Sequence, residues 1–161
     1  PRRRNCVKVY GAESNKHGSL QAGQERFWKS LLGGVAAVRF HRPPSGLGLS
    51  PLAQNHIKSA RLFCDRINIF ECSQQNNLLL AREEGNSYAM GERGKYTAVL
   101  FTGEGEVKLD ISDFPTPLSL TWLDILNCRW LPQEAVKSES PLRLKTPGKG
   151  FFIALIKSDK P

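Results

Sequence analysis

Residues 27–61, FWKSLLGGVAAVRFHRPPSGLGLSPLAQNHIKSAR, constrain the fold more than any other part of the chain. They read as a helix, a Gly-Gly stop, a buried strand, a polar loop and a second helix. The run VAAVRF is apolar on both faces up to Arg39, the pattern of a parallel strand covered on both sides. A parallel strand needs parallel neighbours, and these arrive through crossover helices. Only Cys6–Tyr10 offers a second such strand before the sequence changes character. The stretch is therefore expected to be the end of an α/β sheet or barrel whose earlier units are not in these 161 residues.

Within this first part, Leu20 to Leu32 is expected to be helical. Phe27 with Leu31 and Trp28 with Leu32 are i,i+4 pairs on one broad apolar face, and Gly33-Gly34 ends the helix by permitting a left-handed turn. Ser50-Pro51 starts the next helix with an N-cap hydroxyl and a proline at the first helical position. Ala53, Ile57, Ala60 and Cys64 then form one stripe toward a core.

From Ile69 onward the period becomes two. Val107, Leu109 and Ile111 alternate with Glu106, Lys108 and Asp110, as in a half-buried antiparallel strand. Leu118, Leu120 and Trp122 alternate with Ser119 and Thr121, and Leu142 and Leu144 with Arg143 and Lys145. Tyr96–Phe101 and Phe151–Ile156 are apolar on both faces and are expected at the centre of a sheet. Turn sequences separate these runs, notably Gly103-Glu104-Gly105 and Pro147-Gly148-Lys149-Gly150. Short strands at this spacing predict an antiparallel β-sandwich. The expected fold class is thus an α+β chain in two parts. Residues 1–68 are expected to be terminal β/α units of an incomplete α/β sheet or barrel, and residues 69–161 a C-terminal β-sandwich. The switch at Asn68 carries no linker composition, so the second helix should pack directly on the sandwich.

The net charge is +8, and it is unevenly placed. Residues 1–68 carry 12 Lys/Arg against 3 Asp/Glu, whereas residues 69–161 are nearly balanced. Apart from Arg2–Arg4 the basic residues come singly and no aromatics interleave with them, so nucleic acid is not the expected partner. No apolar run is long enough to span a bilayer, and no apolar core of a signal peptide follows Pro1-Arg2-Arg3-Arg4. The cysteines Cys6, Cys64, Cys72 and Cys128 make no C-x-x-C pair and have no histidine at a metal-ligand spacing. No metal and no cofactor is therefore expected. Cys6 and Cys64 read as buried thiols, and a Cys64–Cys72 bridge is left open.

The order of pieces resembles a family of glycoside-hydrolase-like proteins. The likeness rests on Val7–Gly11 (VKVYG), Glu25-Arg26-Phe27-Trp28, Ala37–Pro43 (AVRFHRP), Gly46-Leu47-Gly48-Leu49, and Ala53-Gln54 through Ser59-Ala60-Arg61. It continues in Asn77-Leu78-Leu79, Tyr96-Thr97-Ala98-Val99, Glu106–Asp110 (EVKLD) and Leu120-Thr121-Trp122. In that family a (β/α)8 barrel is followed by a small β-sandwich resembling a collagen-binding domain of a collagenase. The resemblance implies that residues 1–68 are the last two β/α units, and that the intact parent acts on glycosidic bonds.

Barrel enzymes place catalytic side chains at the C-terminal ends of their strands. Two such positions exist here. After VKVYG come Tyr10, a candidate substrate contact, and Glu13, a candidate catalytic carboxylate. Retaining glycosidases need two carboxyls about 5–5.5 Å apart, and Glu13 is placed to be one of them or to be a solvated loop carboxylate. After VAAVRF come Arg39, His41 and Arg42, candidate substrate-binding residues; a structural salt bridge for Arg39 and a structural role for His41 are the competing readings. Trp122, Trp130, Tyr88 and Tyr96 are candidate sugar-stacking residues of the second part. Trp122 shares the face of Leu118 and Leu120 and is expected in the core, as is Trp28 on its helix.

One carboxylate cannot perform two-carboxylate chemistry, so this chain alone is expected to be inactive, with carbohydrate reached through its parent. The alternative is a carbohydrate-binding, matrix-binding or purely structural module. Two strands cannot close a barrel, so self-association of the piece is also expected.

Overall fold

The computed structural model describes residues 3–9, 20–40, 50–80, 87–137 and 139–159. Over these residues it is an α+β structure with two helices and mostly antiparallel sheets. Strand β1 (Arg3–Val9) precedes helix α1 (Leu20–Leu32), strand β2 (Val35–Phe40) and helix α2 (Pro51–Cys64). The two strands run parallel, with Cys6 opposite Ala37 and Val9 opposite Phe40. Helix α1 buries Phe27, Trp28 and Leu32. It ends where Gly33 N–H donates to Lys29 O at 2.8 Å and Gly34 takes a φ of +85°, a conformation open to glycine at no steric cost. Helix α2 begins as its sequence predicts. Ser50 Oγ accepts from Ala53 N–H at 3.3 Å, with Pro51 in the first turn.

The rest of the chain pairs antiparallel. It comprises β3 (Ser73–Gln74), a 3-10 turn over Asn76–Leu78, β4 (Leu79–Leu80), β5 (Ser87–Glu92), β6 (Tyr96–Phe101), β7 (Glu106–Leu109), β8 (Leu118–Asp124), β9 (Arg129–Trp130), β10 (Glu134–Val136), β11 (Leu142–Lys145) and β12 (Phe152–Ser158). The larger sheet has the order β10-β8-β12-β6-β5-β3, with β9 added to the end of β8. The smaller has the order β11-β7-β4. Ala154 of β12 lies between Val99 of β6 and Trp122 of β8, which fixes the centre of the large sheet.

Each face of that sheet is buried by a different layer. Met90, Ala98, Leu100, Leu123, Ile153 and Leu155 join Phe27, Trp28 and Phe63 of the helices in one core. Val99, Phe101, Leu120, Trp122, Ala154 and Ile156 join Leu79, Val107, Leu109 and Leu144 in a second. The order is helices, large sheet, small sheet. This stacking explains why β6 and β12 carry apolar residues on both faces, whereas β7 keeps Glu106 and Lys108 exposed.

Gly91 shows how tightly the ladder is set. A Cβ at this position would run into the backbone carbonyl of Tyr96 and come within 2.8 Å of Gln75 Oε1. Gln75 is itself buried and accepts from the Thr97 hydroxyl. The Tyr96 carbonyl and the Thr97 Cα, 2.9 Å from such a Cβ, are backbone and cannot swing aside. Gly91→Ala is expected to cost about 1–3 kcal/mol in a urea melt; a wild-type midpoint would contradict this packing.

Candidate functional site

The parallel pair β1–β2 supplies the first candidate site. Val9 and Phe40 are paired, so the C-terminal ends of the two strands are level. In parallel α/β structures that edge is where ligands and catalytic groups gather. Arg39 is the penultimate residue of β2 and sits opposite Lys8 of β1 in the backbone register. Tyr10, Glu13, His41 and Arg42, the other residues singled out from the sequence, lie outside the described residues. The structure thus places the backbone of one candidate near this edge.

Behind the pair, the helices are locked to each other and to the large sheet by a buried polar joint. Trp28 Nε1–H of α1 donates to His56 Nδ1 of α2 at 2.8 Å. With that nitrogen accepting, the ring proton sits on Nε2, which donates to Gln24 Oε1 at 3.0 Å. Trp28 and His56 are both fully buried, and Phe151 meets the imidazole edge-on with centroids 5.8 Å apart. Burial pushes the His56 pKa down to about 4, so the ring is neutral near pH 7. One turn further along α2, Ser59 Oγ–H donates to Ile125 O at 2.6 Å and ties the helix to the β8–β9 connection. The sequence stripe Ala53, Ile57, Ala60, Cys64 is therefore displaced by one position: Ala53, His56, Ser59 and Phe63 are buried. Polar side chains with partners occupy positions that hydropathy assigns to the outside, and His56 was invisible to that reading.

The four aromatic residues considered as sugar platforms form no exposed row. Trp122 is buried between Phe101 and Phe152, and Tyr96 is also buried. Tyr96 O–H donates to Asn68 O at 3.4 Å, and burial raises its pKa well above the usual phenol range. Tyr88 has Lys29 Nζ 5.0 Å from its ring centroid. Trp130, half-buried, has the Arg66 guanidinium 4.3 Å from its own. Each ring lies in a core or under a cation. Among the described residues the exposed aromatic is Phe70, at 70%.

Cys64, Cys72 and Cys128 are free thiols, so the Cys64–Cys72 bridge does not form. The Cys72 thiol instead points to Tyr96 Oη and Asn68 O. Among the described residues no group of three or more His, Cys, Asp and Glu is placed to hold a metal ion. No described helix is long and apolar enough to cross a membrane.

Two helices over a large antiparallel sheet, a small sheet on its far side and a parallel strand pair make a glycoside-hydrolase-like fold. A glycoside hydrolase family 5 protein from Bacteroides vulgatus superposes on 88% of the chain with a TM-score of 0.66, at 11% sequence identity. A second structure, a glycoside hydrolase, covers 86% with a TM-score of 0.67, at 10% identity. The likeness at these identities is one of fold. The chain spans about a third of each structure's own length, 36% and 37% respectively. No family model matches the sequence, and no curated protein does.

Proposed function

We propose that this chain is the C-terminal part of a glycoside-hydrolase-like protein whose intact form acts on glycosidic bonds of a polysaccharide or oligosaccharide. Residues 1–68 contribute the last β/α units of a (β/α)8 barrel, and residues 69–161 the appended β-sandwich. The observation that carries this reading is the parallel pair β1–β2, level at its C-terminal ends and connected through α1, within a chain matching one third of a glycoside hydrolase structure. Tyr10, Glu13, Arg39, His41 and Arg42 then belong to the rim that faces carbohydrate. Glu13 is one carboxylate of the pair, and Tyr10, Arg39, His41 and Arg42 contact sugar.

The sequence segments 10–19 and 41–49, which follow the two strands, hold a single carboxylate, Glu13. General-acid chemistry and a nucleophile or base need two. Purified residues 1–161 are expected to release no reducing sugar above buffer from a panel of glycosides. Hydrolysis that disappears in Glu13→Gln would overturn that expectation. The parentage itself is tested by the genomic sequence upstream of Pro1. A reading frame continuing into further β/α units supports it, and a stop codon followed by unrelated sequence removes it. Of the alternative roles for the sheets, a structural one is favoured over sugar binding, because Trp122, Tyr96, Tyr88 and Trp130 are buried or cation-covered.

A further inference from the structure

A cleft of about 300 Å3 opens between the first half of α1 and the turn joining β6 to β7. Gln21 and Glu25 line it from the helix, Thr102, Gly103 and Glu104 from the turn, and Glu106 from the start of β7. Three carboxylates thus line the cleft, and among the described residues no cation does. Glu25 accepts from Lys29 and from Gln21 Nε2, each at 3.0 Å. Glu106 is paired with Arg143, which is exposed together with its neighbours Lys108 and Lys145 and, like them, does not line the cleft. Glu104 is exposed and has no hydrogen-bond or ion-pair partner among the described residues.

Thr102 adds an independent observation. It is 5% exposed and lines the cleft beside Gln21 and Glu25, yet its hydroxyl has no hydrogen-bond partner among the described residues. Buried hydroxyls are nearly always bonded, so an unmet one at the wall of an open cleft marks where a ligand atom belongs. The turn beside it is unobstructed, since a Cβ added to Gly103 or Gly105 would meet nothing within 4 Å.

The lining decides the ligand. Among the described lining residues carboxylate and hydroxyl oxygens are in excess, with Glu104 unpaired, which favours a positively charged ligand rich in donors. A metal ion is not supported, because the carboxylates are not grouped as metal ligands. The carboxylates stand on two different walls. A planar guanidinium, with five donors in a fixed fork, reaches acceptors on both, whereas an ammonium acts as a point charge. The volume holds a group of that size and its alkyl stem. We infer that this cleft binds the guanidinium of an arginine side chain presented by a peptide. The inference does not rest on the glycosidase reading.

The test is a titration of the full chain with N-acetyl-arginine amide, followed through the backbone amide resonances of Thr102 and Glu104. Saturable shifts are expected, with a roughly millimolar Kd. The neutral isostere N-acetyl-citrulline amide should bind at least about tenfold more weakly, since it lacks the charge. Thr102→Val keeps the shape and loses no existing bond, and Glu104→Gln removes the free charge. Each should weaken binding roughly tenfold without lowering Tm. Free arginine should bind more weakly than the blocked form, because its own carboxylate is repelled. The proposal is overturned by absent saturation, by equal binding of the citrulline analogue, or by wild-type affinity in Glu104→Gln, which decides the matter even if Thr102→Val fails to fold. Tighter binding of N-acetyl-lysine amide would overturn the guanidinium assignment, and tighter binding of free arginine the peptide source.

Discussion

Acidifying the protein from pH 6.5 to pH 4 should lower its unfolding free energy by about 2–3 kcal/mol through His56 alone. Above pH 6.5 the ring is neutral in both folded and unfolded chains, and the full stability is present. Between 6.5 and about 4 the unfolded chain takes up a proton that the folded ring refuses, because its pKa is held at about 4 by burial. Below about 4 both states are protonated and the loss is complete. The geometry gives the reason in atoms. Nδ1 must stay unprotonated to accept from Trp28 Nε1–H, and a proton there would set two donors against each other inside a dry core. Urea denaturation at a series of pH values measures the effect. His56→Gln should be less stable at neutral pH by about 1–3 kcal/mol, and should lose the slope between pH 6.5 and 4. The exposed carboxylates Glu106 and Asp110, held below their ordinary values of 4.5 and 3.8 by Arg143 and by Ser112 respectively, keep their stabilisation above those values and lose it as the pH falls below them. An unchanged slope in His56→Gln would refute the neutral, bonded ring.

The second large effect belongs to Trp122. Its ring meets Phe101 at 5.6 Å and Phe152 edge-on at 6.3 Å, in the core between the two sheets. Trp122→Ala removes the largest side chain of that core and leaves a cavity that a central strand cannot close. A loss of about 3–5 kcal/mol is expected. Trp130→Ala provides the contrast. Trp130 is half-buried on the short strand β9, with Arg66 over its ring, and cation–π contacts at such sites contribute about 0.5–1 kcal/mol. Chemical denaturation of the two variants separates them directly. Equal losses would mean that Trp122 is not the anchor its position implies.

Much of this arrangement was legible from local pattern. Ser50-Pro51 announces α2 because a cap hydroxyl and a pre-set φ act within one turn. Tyr96–Phe101 and Phe151–Ile156 declare themselves central because both of their faces are apolar. The strand Leu118–Asp124 was only half legible. Its alternation suggests a solvent face, yet Ser119 and Thr121 are buried, and Ser119 Oγ–H donates to Asp159 Oδ1 at 2.9 Å. Position inside a sheet, between β10 and β12, decides burial there, and single-strand hydropathy carries no information on neighbours. The same holds for His56, whose burial depends on Trp28 and Gln24 from another helix. Two-residue strands such as β3, β4 and β9 exist through their partners and leave no periodic trace. As for the candidate rim, Arg39 was placed on a strand end from its apolar run, and the backbone puts it there. Tyr10, Glu13, His41 and Arg42, outside the described residues, owe their selection to sequence position after a strand.

The two covers of the large sheet come from opposite sides of Asn68, where the hydrophobic period changes. Leu100, Leu123 and Ile153, encoded after that point, are each 0% exposed and share a core with Trp28 and Phe63, encoded before it. A chain severed there would hand the strands one greasy side and no means of hiding it. The strand-rich segment borrows its solubility from the helices upstream, so recombination at this point would transmit a sheet without its roof. What can be inherited intact is the three-layer stack.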